Sequence, residues 1–256
     1  MRCRFWSIWL GRVKLNQLIH MEEEDYVEPP PPSPKKVARR ALVLSVVCCR
    51  GIIDTNPEAA GLATQTWAWL KDLGLEGDLS EWERKTLEAP YGSLALTNRV
   101  NAGWLSEAVT VLAWALGKAD LPSFETQCDP QSVSNSLGFL QPKNETVLAN
   151  PALLSPEQLS EYNEFIYNVH WRVRDFSIRK GPYNFESLAR KAWGEPVLRH
   201  GLKIVENDIS LRGVPISRVS ESAYRNLSSI TRERHRASNW LIGYASEDFY
   251  EVTTDT

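Results

Sequence analysis

Residues 104–117 read WLSEAVTVLAWALG, a stretch with hardly any polar face. A helix that is apolar all round is buried in the core of a protein. We therefore expect a central helix from Leu94 to Leu116, ended by Gly117. Glu107 is the one carboxylate inside this apolar run. A buried carboxylate must either meet a cation or take up a proton, so Glu107 needs a partner from elsewhere in the chain.

Three more long helices follow from the spacing of apolar residues. Residues 41–53, ALVLSVVCCRGII, are nearly apolar all round and predict a second central helix that begins near Lys35. Apolar stripes at helical spacing predict helices over about 155–180 and about 220–244. The last helix has apolar or uncharged side chains on both faces, so we expect contacts on both of its sides.

The remaining segments are shorter. Cap and stop signals predict helices over about 57–74, from Ser80 onward, over about 133–140 and from Asn184 onward. The rest of residues 121–155 is rich in Pro, Ser, Asn and Gln and is interpreted as a long surface connection. Residues 208–216, DISLRGVPI, alternate about a glycine and predict a two-stranded hairpin with Pro215 at an edge. The fold class is mainly α, a single multi-helix globular domain with one small β-hairpin.

The composition changes abruptly near the N-terminus. Residues 1–20 carry four cations and no acid, whereas Met21 opens an acidic run that is followed by prolines. We therefore predict a flexible N-terminal extension and acidic, proline-rich linker over 1–35, and the helical domain over 36–256. Residues 1–20 have three interpretations, which the sequence leaves open: a false start with translation from Met21, a disordered tail, or a short interfacial membrane anchor.

Composition excludes several classes of protein. A formal net charge of −3 gives no footprint for nucleic acid. No stretch reaches the roughly 18–20 apolar residues that cross a bilayer. The adjacent Cys48 and Cys49 do not match zinc-ligand spacing and are interpreted as small core residues in a reducing cytosol, so the expected location is cytoplasmic.

Charged residues and tryptophans share the same predicted helices in two segments, HWRVRD (170–175) and ERHRASNWL (233–241). Charged side chains are seldom fully buried without a partner, so this mixture predicts an internal polar network or a pocket. The candidate residues are Glu107, His170, Arg172, Arg174, Glu233, Arg234, His235 and Asn239. The candidate aromatic support is Trp104, Trp114, Trp171 and Trp240.

We expect Glu107 and Glu233 to meet arginines, with Arg174 and Arg234 as the first choices and Arg172 or Arg50 as further ones. Beside the apolar stripe of the 155–180 helix, Asn163, Tyr167, His170 and Arg174 form a ladder of hydrogen-bonding groups. Two interpretations stand. The network is purely structural, or it lines a pocket in which arginines hold a carboxylate or phosphate ligand.

Known catalytic patterns do not occur in the sequence. Glu233 and His235 lie two residues apart, about 200° around a helix, so they cannot reach one metal ion together. There is no Gly-x-Ser-x-Gly elbow and no glycine-rich phosphate loop of the common types. We therefore predict no metal site and no cofactor, and we identify no catalytic residue.

Several of these motifs together resemble one bacterial family. They are ALVLSVVCCRGII (41–53), WLSEAVTVLAWALG (104–117), HWRVRD (170–175), DISLRGVPI (208–216), ERHRASNWLIGY (233–244) and the terminal TDT (254–256). The family is the one catalogued as domain of unknown function 4272, and the resemblance spans about residues 36–256. It implies a bacterial, cytosolic, helical domain. It brings no activity, catalytic residue or cofactor.

Two hypotheses for function follow. The first is a non-enzymatic binding or regulatory domain that recognises a protein partner, which agrees with the lack of catalytic motifs and with ten tryptophans. The alternative is an enzyme or small-ligand sensor that uses an Arg/Glu/His pocket for an anionic ligand. The sequence carries no signal for the identity of the ligand or partner or for the oligomeric state.

Overall fold

The computed structural model describes residues 28–192 and 202–254 and places eight helices in them. They are α1 (Pro34–Ile53), α2 (Ala60–Asp72), α3 (Glu81–Glu88), α4 (Leu96–Ala115), α5 (Pro130–Ser136), α6 (Pro156–Ile178), α7 (Phe185–Ala192) and α8 (Glu221–Leu241). The mainly α, single-domain prediction is thus confirmed. Residues 1–27 lie outside the described ranges, so the interpretations of Met21 and of the first twenty residues stay predictions.

Helices α1 and α4 form the centre of the fold, as their apolar sequences predict. Nearly every side chain of α1 from Ala41 to Cys48 is buried, and so is α4 from Leu105 to Ala113. The two helices touch at Gly51. A Cβ added there would lie 2.5 Å from Ala102 Cβ and 2.9 Å from the Arg99 carbonyl oxygen. Glycine at this position therefore sets how closely the two central helices approach.

Helix α8 packs against both α4 and α6, so the predicted two-sided contact is present. Side-chain caps fix where the long outer helices begin. Ser155 and Gln158 form the predicted capping box of α6, and Ser220 accepts a hydrogen bond from the Ala223 N–H at the start of α8. Along the seam between α6 and α8, polar side chains of the two helices face and hydrogen-bond each other.

The predicted hairpin is present, with one more strand than expected. Strands β1 (Ile204–Val205), β2 (Asp208–Leu211) and β3 (Val214–Pro215) form an antiparallel sheet in that order. Pro215 lies on an edge strand, as predicted. Positive φ angles at both central residues of each turn, Glu206–Asn207 and Arg212–Gly213, match the tight turns that twisted hairpins favour. A two-residue strand such as β1 is too short to show an alternating pattern in the sequence.

The connection between α4 and α6 differs from its prediction. Its short helix, α5, begins earlier than expected, because Asp129 caps it and Pro130 suits its first turn. The segment before α5 does not simply cross the surface. Phe124 and Cys128 are buried in the hydrophobic core, whereas Thr126 and Gln127 between them are exposed. Residues 122–128, called the inner loop below, are thus anchored in the core by these two side chains.

In residues 28–192 and 202–254, no helix combines the length and the hydrophobicity that crossing a bilayer requires.

A glycine pair tests the central helix contact. We expect Gly51→Ala to lower the free energy of unfolding by about 1–3 kcal/mol, because the new methyl group must push α1 and α4 apart. Gly61→Ala in α2 is the matched control, since nothing lies within 4 Å of its added Cβ. It should leave stability unchanged or raise it by up to about 1 kcal/mol. Urea unfolding of both variants gives the comparison, and equal values would contradict the packing described.

Candidate functional site

Glu107 of α4 and Arg234 of α8 form the deepest ion pair of the described residues. Arg234 donates from Nε to Glu107 Oε2 over 2.8 Å, and its Nη2 lies 2.8 Å from the same oxygen. The two side chains are 0% and 1% exposed. Glu107 therefore has the cationic partner that the sequence predicts for it, and this partner is Arg234, as expected.

The inner loop closes the other sides of this pair. Arg234 Nη1 donates to the carbonyl oxygens of Pro122 and Ser123, and its Nη2 donates to that of Thr126 over 2.8 Å. Glu107 Oε1 accepts from the Cys128 N–H over 2.9 Å. Each of the three guanidinium nitrogens therefore donates to at least one acceptor in the protein. The guanidinium group is enclosed by groups of the protein itself.

Arg172 makes a second buried pair, which joins α6 to the small sheet. It donates to Asp208 at the start of β2 over 2.8 and 2.7 Å, and to Asp175 over 3.1 Å. The Gly181 carbonyl oxygen accepts from its Nη2. The sequence predicted a buried role for Arg172 but not these partners. Asp175 lies three residues further along the same helix, and that spacing alone signals a pair.

The expected partners of Glu233 were wrong. Glu233 is buried, and it accepts from Arg232 and Arg236 of its own helix over 3.1 and 2.9 Å. Arg50 pairs with Asp54 instead and donates to two backbone carbonyl groups. Partners within one turn of the same chain segment satisfied these charges, whereas the prediction relied on partners from other helices.

Arg174 is exposed and makes no ion pair with any residue that the structure describes. Arg172 and Val173 are both buried, and each further residue turns about 100° around the helix, so position 174 reaches solvent. The placement of Arg174 inside a closed network was therefore wrong.

One more buried carboxylate was not recognised as such from the sequence. Glu83 was predicted only as the capping-box residue of α3. Its Oε1 accepts from Arg40 over 2.6 Å and from the Tyr250 hydroxyl over 2.8 Å, and its Oε2 accepts from the Ser80 N–H. The side chain is fully buried. The C-terminal segment is thus tied to α1 and α3 by one carboxylate.

His170 and His235 meet at the seam between α6 and α8. Their Nδ1 atoms lie 2.9 Å apart, and both rings are almost completely buried. Burial, and to a smaller extent the nearby charges of Arg174 and Arg232, lowers the pKa of His170 to about 4. Burial and the neighbouring His170 lower the pKa of His235 to about 3. Both imidazoles are consequently neutral at pH 7.

Asn239 joins α8 to α6 and to the C-terminal segment. Its Nδ2 donates to the Thr253 carbonyl oxygen over 2.9 Å, and its Oδ1 accepts from Asn163 Nδ2 over 2.7 Å. Between the two histidines, one Nδ1 atom donates and the other accepts, and the tautomer decides which of them carries the hydrogen.

The four candidate tryptophans differ in burial. Trp240 is buried and donates to the Glu247 carbonyl oxygen over 3.0 Å. Trp114 and Trp171 are half-buried, with ring centroids 4.9 Å from Tyr162 and 6.2 Å from Tyr183. Trp104 is half-buried as well. Their support of the Glu107–Arg234 pair stays a prediction, whereas backbone of the inner loop bonds the pair directly.

The described cysteines carry no reactive thiol. Cys48, Cys49 and Cys128 are unpaired. Burial raises the pKa of the Cys48 thiol to about 12 and that of Cys128 to about 11. A thiol is a nucleophile only as its thiolate, so these groups are unreactive near neutral pH. In the described residues, no group of three or more metal-ligating side chains is close enough to hold an ion.

Comparison with known proteins gives one match. The model of the family described as "Domain of unknown function (DUF4272)" matches residues 15–188. The match begins earlier than the sequence resemblance and ends in α7, so it includes α1, α4 and the HWRVRD segment but not the sheet or α8. No curated protein and no solved structure matches the chain.

The histidine pair makes the stability of the fold depend on pH. An unfolded chain protonates both imidazoles below about pH 6.5, whereas the folded chain keeps them neutral down to about pH 4. Unfolding therefore takes up protons in this window, and the free energy of unfolding falls as the pH falls from 6.5 to 4. We expect His170→Gln to reduce the proton uptake at pH 5 by about one.

Denaturant unfolding at several pH values between 4.5 and 7 measures this uptake from the slope of the free energy against pH. A slope that is the same in the variant and in the unaltered protein would show that His170 is not held neutral in the folded state.

Proposed function

The chain belongs to the family described as domain of unknown function DUF4272, which comes without an activity, and we propose that it is a non-enzymatic binding domain for a protein partner. The state of its buried charges supports a non-catalytic role. Each of four buried charged groups is hydrogen-bonded to other groups of the protein: Glu83, Glu107, Arg172 and Arg234. Charges that are saturated in this way hold helices together and have nothing free to act on a substrate.

An exposed apolar surface at one end of the central helices carries the proposal. Leu96 and Val100 lie one turn apart on α4 and are 66% and 46% exposed, and Ile52 of α1 is 50% exposed. Ile52 Cγ1 lies 3.9 Å from the point where a Cβ on Gly103 would stand, so it borders the same face of α4. We call these three residues the α4 patch. Single exposed apolar residues are ordinary, but a contiguous group marks an interaction surface.

Arg99 indicates the chemistry of the partner. It lies between Leu96 and Val100 in the chain and next to Gly103 on the helix surface. Its Nε is buried and has no hydrogen-bond partner in the described residues. A buried guanidinium nitrogen without an acceptor is costly, and a carboxylate from a partner would supply one. We therefore infer that the partner presents an apolar segment that also carries an acidic side chain.

The setting of the proposed interaction is the bacterial cytosol, as the family resemblance implies. Three unpaired cysteines support a reducing compartment, because secreted proteins of this size tend to use their thiols in disulfides. The rival function, in which the Glu107–Arg234 cluster holds an anionic ligand, has no support from the contacts, since every guanidinium nitrogen of Arg234 donates to an acceptor of the protein itself.

Site-specific photocrosslinking in the native host tests the proposal. A photoreactive residue at position 96 should give one discrete adduct, while the same residue at position 178 should not. Ile178 is the matched control because it is 74% exposed but lies on α6, away from the α4 patch. The crosslinked peptide, identified by mass spectrometry, should be apolar and contain Asp or Glu.

A charge reversal then checks the chemistry. Binding of the synthetic peptide should fall about tenfold with Arg99→Glu, the loss expected for one charged hydrogen bond, and should return when the peptide acid is changed to Lys. Equal adducts at positions 96 and 178, an adduct only with a second copy of the chain, or a peptide insensitive to Arg99→Glu would each refute the proposal.

A further inference from the structure

Three arginines form a row on the outer face of α8. Arg225, Arg232 and Arg236 are separated by seven and four residues, and at about 100° per residue they lie within about 40° of each other around the helix. None of the three is buried. Seven residues further on, the same spacing leads to Gly243, just past the end of α8. The arginine row and Gly243 therefore lie on one side of the molecule.

Two arginines of this row share one carboxylate. Glu233 is buried, and it accepts from Arg232 Nε over 3.1 Å and from Arg236 Nη1 over 2.9 Å. Neither arginine pairs with any other carboxylate of the described residues. Two positive charges against one negative charge leave a surplus of one, and both guanidinium groups keep unused N–H donors. Arg225 differs, because Glu221 pairs with it one to one.

The start of the described chain crosses the end of the arginine row. A Cβ added to Gly243 would lie 2.5 Å from the Pro29 carbonyl oxygen and 2.9 Å from the Pro31 nitrogen. Pro32, the next proline, is buried. The prolines therefore pass directly over Gly243, and the part of the chain that precedes Glu28 is tethered at this place.

Four acids come shortly before this point in the sequence. Residues 22–25 read EEED, and this acidic run begins six residues and ends three residues before the first described residue. An extended chain advances about 3.4 Å per residue, so the run can lie up to about 10–20 Å from the tether. Along α8, Arg236 and Arg232 are about 10 and 16 Å from Gly243, whereas Arg225 is about 27 Å away. The acidic run can therefore reach the first two arginines but not the third.

We propose that the acidic run docks on Arg232 and Arg236 of the same chain and supplies the carboxylates that these two arginines lack. Exposed ion pairs are individually weak, but a short tether holds the acids beside the arginines at an effective concentration in the millimolar range. An acidic segment of another protein has the same charge without that advantage. The run belongs to the chain whether translation starts at Met1 or at Met21.

This docking surface is separate from the α4 patch. It lies on the outer face of α8, whereas the patch is formed by α1 and α4. Docking of the acidic run therefore does not depend on the proposed protein partner, and either proposal can fail alone.

Photocrosslinking within the full-length chain tests the docking. A photoreactive residue at position 26, next to the acidic run, should attach to α8 between residues 229 and 240, as located by mass spectrometry. A mixture of isotope-labelled and unlabelled protein distinguishes attachment within one chain from attachment between two copies. Because salt screens exposed charges, the yield should fall as sodium chloride is raised to about 0.5 M.

Two variants and one control assign the contacts. Arg232→Gln should lower the crosslinking yield about threefold, the loss expected for one exposed ion pair. Arg225→Gln is the matched control, since it removes an arginine of the same row that the run does not reach, and the yield should not change. Neutralising the run itself, with Gln at positions 22–24 and Asn at position 25, should lower the yield about tenfold.

Three results would overturn the proposal: a yield that neither salt nor neutralisation of the run changes, attachment mainly to a second copy of the chain, or an equal effect of Arg232→Gln and Arg225→Gln. Neutralising the run leaves the helical domain unaltered, so this variant decides the question even if Arg232→Gln does not fold.

Discussion

A carboxylate at the centre of an apolar helix must be neutralised, and this constraint organises the fold. Glu107 lies in the part of α4 in which every side chain, all around the helix, is buried. Desolvating its charge without a partner would cost several kcal/mol. Arg234 meets that need, and in doing so it brings α8 against α4 and draws the carbonyl groups of the inner loop inward. One ion pair thereby fixes the relative placement of two helices and one connection.

The same principle recurs at two other places in the described chain. Arg172 ties α6 to β2 through Asp208, and Glu83 ties α1 and α3 to the C-terminal segment through Arg40 and Tyr250. Each buried pair joins segments that are far apart in sequence. Buried ion pairs add less to stability than apolar packing of the same volume, but they tolerate only one arrangement of their neighbours. The buried ion pairs therefore explain how these segments are arranged better than they explain the net free energy of unfolding.

The charged groups of the protein divide into two kinds, and the division bears on function. Buried groups such as Arg172 and Arg234 are saturated by internal acceptors. By contrast, Arg99 has a buried donor without an acceptor in the described residues, and it adjoins apolar side chains that are exposed. Recognition is expected at this incomplete place and not at the complete ones.

Local patterns in the sequence were sufficient to predict most of the helices. They were also sufficient to predict that Glu107 needs a cation as its partner. Runs such as 41–53 and 104–117 have no polar face, so burial follows from them directly. The choice of partners was harder to predict, because Glu233 pairs with arginines one and three residues away, whereas Arg172 pairs with Asp208 across 36 residues of chain. Strand β1 has only two residues and gives no pattern. Such pairings depend on which segments the tertiary fold brings together, and the spacing of residues along one helix does not predict that.

A double-mutant cycle on Glu107 and Arg234 tests the central claim most directly. The free energy of unfolding is measured for Glu107→Gln, Arg234→Met and the combined variant. Each single change should cost about 3–5 kcal/mol, because it leaves a buried charge or its polar neighbours without a partner. The double variant should be more stable than the sum predicts by at least about 2 kcal/mol. Additivity within about 0.5 kcal/mol would show that the two side chains do not depend on each other.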